Sequence, residues 1–230
     1  MDAIQFVNQE YPEWLPEDRR VMMWIKGKPT ELFLLGWEVN GEPEVPMNVP
    51  EDVWDKHTRA TELLQEGQLE TAKTMLREVI AAVPDFPAAY NHLTLAYQME
   101  GRDEEARAMV KDLYARFPDY LFARVAMAQL LTQEKRVEEA RTILDPLLRR
   151  RRFHFSEFRA VAQAQMAIAL AEGSQEGARH WLDMWAEVEP DHPGILQWRL
   201  RIEGPDRMLK SLKELTGRFG RQKGDRRGLP

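Results

Sequence analysis

The strongest constraint on this chain is a pattern of small, bulky apolar, glycine and proline residues that returns every 34 positions across its middle. From Pro87 to Tyr120 it places Tyr90, Leu93, Tyr97, Gly101, Ala106, Val110, Leu113 and Pro118 in register. One period earlier, Val53 to Phe86 supplies Ala60, Leu63, Gly67, Ala72, Leu76, Val79 and Pro84. One period later, Leu121 to His154 supplies Met127, Ala128, Leu131, Ala140, Leu144 and Leu147, with Arg152 where proline is expected. A fourth register, Arg159 to His192, gives Met166, Ala169, Gly173, Ala178, Leu182, Trp185 and Pro190, after four residues inserted near Arg149 to Ser156. Apolar spacings of three and four within each period predict helix, and one glycine followed by one proline predicts two helices per period.

Each residue type has a physical reason. Ala60, Thr94 and Ala128 on the first helix, with Ala72, Ala106, Ala140 and Ala178 on the second, let the two backbones approach. Gly67, Gly101 and Gly173 sit where the first helix ends and left-handed dihedrals are needed. Pro84, Pro118 and Pro190 stop the second helix. The pattern resembles the tetratricopeptide repeat, in which an aromatic, a leucine, a small residue, a second aromatic, then alanine, a bulky apolar residue and proline stand at these offsets. That resemblance implies an all-α fold, a right-handed superhelix of about four helix-turn-helix repeats at 53–86, 87–120, 121–158 and 159–192. Because a stacked repeat leaves its last apolar face uncovered, capping helices are expected within 193–217, around Gly194 to Ile202 and Asp206 to Thr216. Trp181, Trp185 and Trp198 read as core at helical spacing. Lys56 and Arg59 in the first unit and Gln165 in the fourth depart from the apolar pattern, so those faces are expected to be less buried.

Residues 1–52 lie outside the repeat and form a small head. Glu17 to Lys26 reads as a short helix opened by Pro16. Glu31 to Val39 and Glu42 to Val45 read as a β-hairpin about Asn40-Gly41, with Pro43 confining the second strand to an edge. Trp14, Trp24, Phe33 and Trp37 supply enough apolar area for this head to pack on the first repeat. Arg218 to Pro230 is a basic, glycine-containing tail expected to be disordered.

The chain has no cysteine, which excludes disulfides, thiolate metal sites and cysteine nucleophiles, and fits a reducing, cytoplasmic setting. Its net charge of −6 is unevenly spread, at −7 over residues 1–52, −4 over 53–147 and +5 over 148–230. No apolar run long enough to span a bilayer occurs, and the first residues lack the basic start of an export signal. His57, His92, His154, His180 and His192 are scattered, with no HExxH pair, no Gly-rich phosphate loop and no GxSxG. No catalytic residue, cofactor or metal is expected, and Glu187, Glu189, Asp191 and His192 read as a solvated loop.

In the family this chain resembles, the concave groove is lined by the second, fifth, ninth, twelfth and thirteenth places of each unit. Carried over, the resemblance implies a groove of His57, Thr61 and Leu64, then Asn91, Leu95 and Gln98, then Phe122, Val125, Gln129 and Gln133, with Gln163 and Leu170 from the fourth unit. Apolar and amide groups with little charge suit an extended peptide or an amphipathic helix of a partner protein. The variety of the family that clamps an acidic C-terminus needs Lys, Asn and Arg, whereas this chain offers His57, Thr61, His92, Phe122 and Ala126. The expected role is therefore an adaptor, scaffold or assembly factor. Arg149, Arg150, Arg151 and Arg152 support a second reading, an anion-binding accessory subunit, with nucleic acid disfavoured by the overall charge. The acidic head and basic end support a third, a self-assembling homo-oligomer.

Overall fold

The computed structural model describes residues 49–150 and 152–204 in full, preceded by the backbone of four strands. Among them nine helices run in order: α1 (Glu51–Gln65), α2 (Leu69–Ala82), α3 (Pro87–Met99), α4 (Asp103–Arg116), α5 (Leu121–Gln133), α6 (Val137–Leu148), α7 (Phe155–Ala171), α8 (Gln175–Val188) and α9 (Pro193–Glu203). The result is an all-α helical-repeat fold. The chain divides into two compact units, residues 1–164 and 165–230.

In the first unit each helix from α1 to α6 packs on the next, and α1 also touches α3. The small residues read from the repeat are where close approach requires them: Ala60, Ala72, Ala128 and Ala140 are 0% exposed. Leu76, Leu113 and Leu144 are likewise fully buried, each contributing about 2 kcal/mol of apolar burial. Acids in the first turns of α1, α4 and α6 face the positive helix ends, and Pro87 occupies the first turn of α3, where its missing N–H costs nothing. Val83 follows α2 and Phe117 follows α4, each immediately before the proline that bars continuation. In the second unit Ala178 is fully buried, Gly177 lies beside Ala169, and α9 packs on α8.

The turns between paired helices share one hydrogen-bond pattern. Gln68 N–H donates to Leu63 O at 2.8 Å, Arg102 to Tyr97 at 3.0 Å, Arg136 to Leu131 at 2.8 Å and Ser174 to Ala169 at 2.8 Å. This six-to-one closure needs a left-handed residue just before its donor. Gly67, Gly101 and Gly173 supply it at φ 76°, 71° and 79°. In the third pair the position is Lys135, at φ 63° the only described non-glycine residue with positive φ.

Between the first and second pairs lies a buried cation. The side chain of Lys73 on α2 is 1% exposed and its Nζ reaches Glu70 at 2.7 Å and Glu100 at 2.6 Å. Burial pulls the ammonium down, but hydrogen bonds and charge from Glu100 and Glu70 more than offset it and hold its pKa above the ordinary value. Lys73 and Arg102 both lie over the Tyr97 ring, at 5.4 and 4.9 Å, while Arg77 donates to the Tyr97 hydroxyl at 2.9 Å. One carboxylate, Glu100 at the end of α3, thereby ties α2 to the next pair.

The head departs from expectation. Arg20–Ile25, expected within a helix, is strand β2, antiparallel to β3 (Lys28–Gly36), which also pairs with β1 (Asp2–Phe6) in the order β1-β3-β2. Five successive apolar residues, Val21 to Ile25, lack helical alternation and instead satisfy their backbone against β3. The register runs from Arg20 opposite Phe33 to Ile25 opposite Lys28. Of the hairpin expected about Asn40-Gly41, the first strand is present as β3 and β4 (Glu38–Asn40), while Gly41 and Glu42 to Val45 lie outside the described residues. β4 pairs in parallel with β5 (Arg152–His154), setting Val39 opposite Phe153. The four inserted residues thus provide a strand, and α7 begins at Phe155 rather than Arg159. Of the expected packing on the first repeat, Val49 lies partly buried against the α1–α2 core; the side chains of Trp14, Trp24, Phe33 and Trp37 lie outside the described residues. Gln165, expected to be less buried, is 4% exposed. The expected cap at Gly194 to Ile202 is α9, and Asp206 to Thr216 and the tail lie outside the described residues.

Glycine in place of Lys135 adopts the same left-handed conformation without the steric cost of about 1 kcal/mol that an L-residue bears there. Lys135→Gly is expected to raise Tm by roughly 2–4 °C, as a stabilisation of that size does in a domain of this length. A thermal melt in which the variant unfolds at or below the parent temperature refutes the strain at this turn.

Candidate functional site

The first helix of each pair carries the residues expected to line a binding face, and the structure sorts them by burial. Three of the twelve belong to the core: His57 at 5%, Leu64 at 3% and Val125 at 5% exposure. Thr61, Asn91, Phe122, Gln129, Gln163 and Leu170 are partly buried, with Leu170 in the second compact unit. Leu95, Gln98 and Gln133 are exposed. Equivalent repeat positions therefore do not share a fate, because α1 turns its fifth and twelfth places into the core cluster that it forms with α2, Phe86 and α3.

Among the described residues of the first unit, the exposed large apolar side chains are Leu95 and Met99 on α3 and Phe155 at the start of α7. Leu95 is 41% exposed and Met99, one turn later, 48%. Gln98 lies between them in sequence, and Pro87–Met99 contains no Asp, Glu, Lys or Arg. The hydroxyls nearby are spent internally: Thr61 donates to Thr58 O at 2.7 Å, Thr94 to Tyr90 O at 2.8 Å and Thr132 to Ala128 O at 2.8 Å. Side-chain amides are thus the polar groups of this face suited to reading a partner's backbone. Met99 was a thirteenth-place residue in the sequence, and its exposure at the C-terminal end of α3 distinguishes it.

The His57 Nε2 and the His92 Nδ1 lie 2.9 Å apart, linking α1 to α3. The His57 ring packs against Phe86 at 4.7 Å and Trp54 at 5.7 Å between centroids. Burial lowers the His57 pKa, partly countered by a backbone hydrogen bond with Ala88. Burial, and then the charge of His57, bring His92 down to about 4. Sequence spacing gave no signal for this pair, since the two residues occupy different repeat places.

The basic run is not a uniform patch. Arg149 and Arg152 are exposed, Arg151 lies outside the described residues, and Arg150 sets both guanidinium edges on Glu157, at 3.2 and 3.3 Å. Glu157 also accepts from His154 N–H at 3.0 Å, while Arg150 stacks over Phe153 at 5.1 Å. Burial and the Glu157 charge push the Tyr120 phenol up. Arg150 thereby shapes the inserted strand and the start of α7. An open depression nearby is lined by Asp85, Arg116, Phe117, Asp119 and Tyr120, but Arg116 is paired with Asp112 at 2.9 Å.

In the second unit the tryptophans take separate places. Trp185 is fully buried and Trp181 6% exposed, whereas Trp198 is only partly buried beneath the Arg201 guanidinium at 4.8 Å. The acidic loop is engaged in local structure: Glu189 accepts from Trp185 Nε1 at 2.8 Å, and His192 caps α9 by accepting from Gly194 N–H at 3.0 Å. Among the described residues no three His, Cys, Asp or Glu side chains are grouped to hold a metal, and no helix is long and apolar enough to cross a membrane.

A family profile described as tetratricopeptide repeat matches residues 63–119 and 105–166. The chain is similar to pilF of Pseudomonas aeruginosa at 18% identity and a TM-score of 0.51, with 69% of this chain aligned to 70% of that one. It is also similar to a tetratricopeptide repeat protein of Parabacteroides merdae, at 12% identity and a TM-score of 0.47, covering 75% of this chain and 67% of the other. No curated protein matches the chain. At such identities the likeness is one of fold.

Glu157→Gln halves the charge that orders the inserted segment. Because Arg150 and Glu157 are 39% and 22% exposed, the loss is expected to be only about 1 kcal/mol after screening. Limited proteolysis should detect it as faster cleavage at Arg150 or Arg152. Unchanged cleavage there would mean that the backbone pairing of β4 and β5 holds the segment unaided.

Proposed function

Because this chain is a tetratricopeptide-repeat protein, we propose that it is a non-enzymatic interaction module. It binds a peptide or helix of a partner protein along the first helices of its repeats. Tetratricopeptide repeats are protein-interaction modules in general. The observation that carries it is the α3 surface, where Leu95 and Met99 are exposed one turn apart beside Gln98 on a helix with no charged side chain. Large apolar groups on a soluble surface cost free energy unless a partner covers them, and an uncharged helix removes the desolvation penalty that would oppose such cover.

The chemistry of the face favours a ligand with apolar anchors over an acidic one. Asn91, Gln129 and Gln163 are partly buried amides able to donate to and accept from an extended backbone, and Phe122 adds an aromatic wall. No lysine or arginine stands among the twelve candidate positions to meet a terminal carboxylate. The pairing of Arg150 with Glu157 supports leaving the basic run out of the contact surface. Adaptor, scaffold and assembly factor all remain compatible with this mode of binding, as they differ in the partner rather than in the surface.

A double substitution, Leu95→Asp with Met99→Asp, tests the reading. Both sites are exposed, so stability should stay within about 0.5 kcal/mol per site and the melting curves should nearly superimpose. Loss of two apolar anchors should weaken a specific partner by about 2 kcal/mol or more, roughly a 30-fold fall in retention. The comparison is quantitative mass spectrometry of host proteins held by immobilised wild-type and variant chains. Equal recovery of every specific partner on the two columns would remove α3 from the binding face.

A further inference from the structure

The His57–His92 pair has a geometry that stands apart from the rest of the repeat core. At 2.9 Å between His57 Nε2 and His92 Nδ1, one nitrogen must carry a proton and the other must offer its lone pair. The two ring centroids lie 4.9 Å apart, and Phe86 and Trp54 wall the His57 ring. Such a contact survives with both rings neutral, and with a single extra proton only at the cost of a buried charge. With both rings cationic, two N–H groups oppose each other and the contact cannot persist.

Among the described residues, no anion on the surrounding elements is seen to relieve that charge. Helix α3 has no acid or base besides His92, and its tyrosines are engaged elsewhere, Tyr90 with Arg116 and Tyr97 with Arg77. On α1, Lys56 pairs with Glu78 of α2 and Arg59 with Glu62 and Glu66, all at the surface, while Asp55 is exposed. On α2, Lys73 is held by Glu70 and Glu100. Asp85, before Phe86, is exposed. The charge that bears on His92 is that of His57 itself.

We propose that the His57–His92 pair is a proton-operated latch between α1 and α3, closed when both imidazoles are neutral and opened in mild acid, loosening α1 from α3 while α2 stays tied to the second pair through Lys73 and Glu100. The latch is a property of the chain alone and needs no partner on the α3 surface, so it stands or falls separately from the binding role. An opened or unfolded imidazole takes up its proton near 6.5, whereas His92 in the closed state does so only near 4. Protons therefore favour the open state: the stabilisation is complete above pH 6.5 and is lost as pH falls toward 4. For His92 alone these two values correspond to an opening constant about 30-fold larger at pH 5 than at pH 8.

The test uses the full chain in chelator. Imidazole NMR of the wild type should give two neutral, coupled rings at pH 7, both titrating below 6.5. Amide exchange, corrected for its intrinsic pH dependence, should show protection across α1 and the start of α3 falling roughly 30-fold from pH 8 to pH 5, with α5 and α6 far less affected. His92→Gln keeps a hydrogen-bonding group that cannot titrate, and should flatten most of this dependence. Rings that titrate independently near 6.5 overturn the latch, as does protection that is level between the two pH values. A His92→Gln chain with undiminished acid sensitivity also overturns it. Should that variant fail to fold, the wild-type ring titration and exchange decide the matter. Acid opening that appears only without chelator would assign the effect to a bound metal and reject the proton mechanism.

Discussion

Close approach of paired helices is the constraint from which the rest of this fold follows. With Ala60, Ala72, Ala128 and Ala140 wholly buried, the backbones come near enough for Leu63, Leu76 and Val79, and their counterparts in later pairs, to close the space between them. A larger side chain at any of these places would force the pair apart and disturb its contact with the next. The left-handed turn serves the same end, since the six-to-one hydrogen bond at Gln68, Arg102, Arg136 and Ser174 ends the first helix abruptly enough for the second to fold back on it.

On that regular frame, two irregular interactions give the first unit its particular joints. Lys73 places a cation where an apolar residue would normally sit, and such a group is tolerable only because Glu70 and Glu100 meet it at hydrogen-bond distance. The inserted segment after α6 follows a different logic. Pro146 already lies inside the last turn of α6, and Arg149 ends the helix with a local bond to Pro146 O. The chain then extends, pairs with β4, and enters α7 through the contacts that Glu157 makes with Arg150 and His154.

Local periodicity explains why the helix pairs were legible in the sequence. Glycine at 67, 101 and 173, alanine at the contact places and proline at 84, 118 and 190 act within a few residues of one another, so spacing alone locates them. Lys135 shows the limit of that reading, because the turn geometry persists without the glycine that announces it. Strand pairing was not legible. Val21 to Ile25 became strand because β3 lay available as a partner, and nothing between Glu17 and Lys26 encodes that neighbour. The parallel match of β4 with β5 joins residues more than one hundred positions apart. Gln165 is buried although its amide breaks the apolar pattern, and Arg150, read within a basic run able to take an anion, is met by Glu157 seven residues on. The strand pairings and the Arg150–Glu157 contact are thus interactions that the spacing of the repeat does not encode.

The same reasoning accounts for where a binding surface can lie. A repeat position fixes direction, but the residue placed there decides whether the direction ends in core or in solvent. At the fifth place His57 and Val125 are buried, while Asn91 and Gln163 stay partly accessible; at the twelfth, Leu64 is buried and Gln98 exposed. The first pair has thus used its inner positions to join α1 to α3 through imidazole and aromatic contacts, and has little left to offer a partner. The second pair has done the reverse, burying Tyr90, Leu93 and Ala96 and leaving Leu95, Gln98 and Met99 outside. Recognition and cohesion therefore share one side of α3: His92 holds the preceding pair, and Leu95 and Met99, three and seven residues further along, present uncharged anchors to whatever the repeat binds.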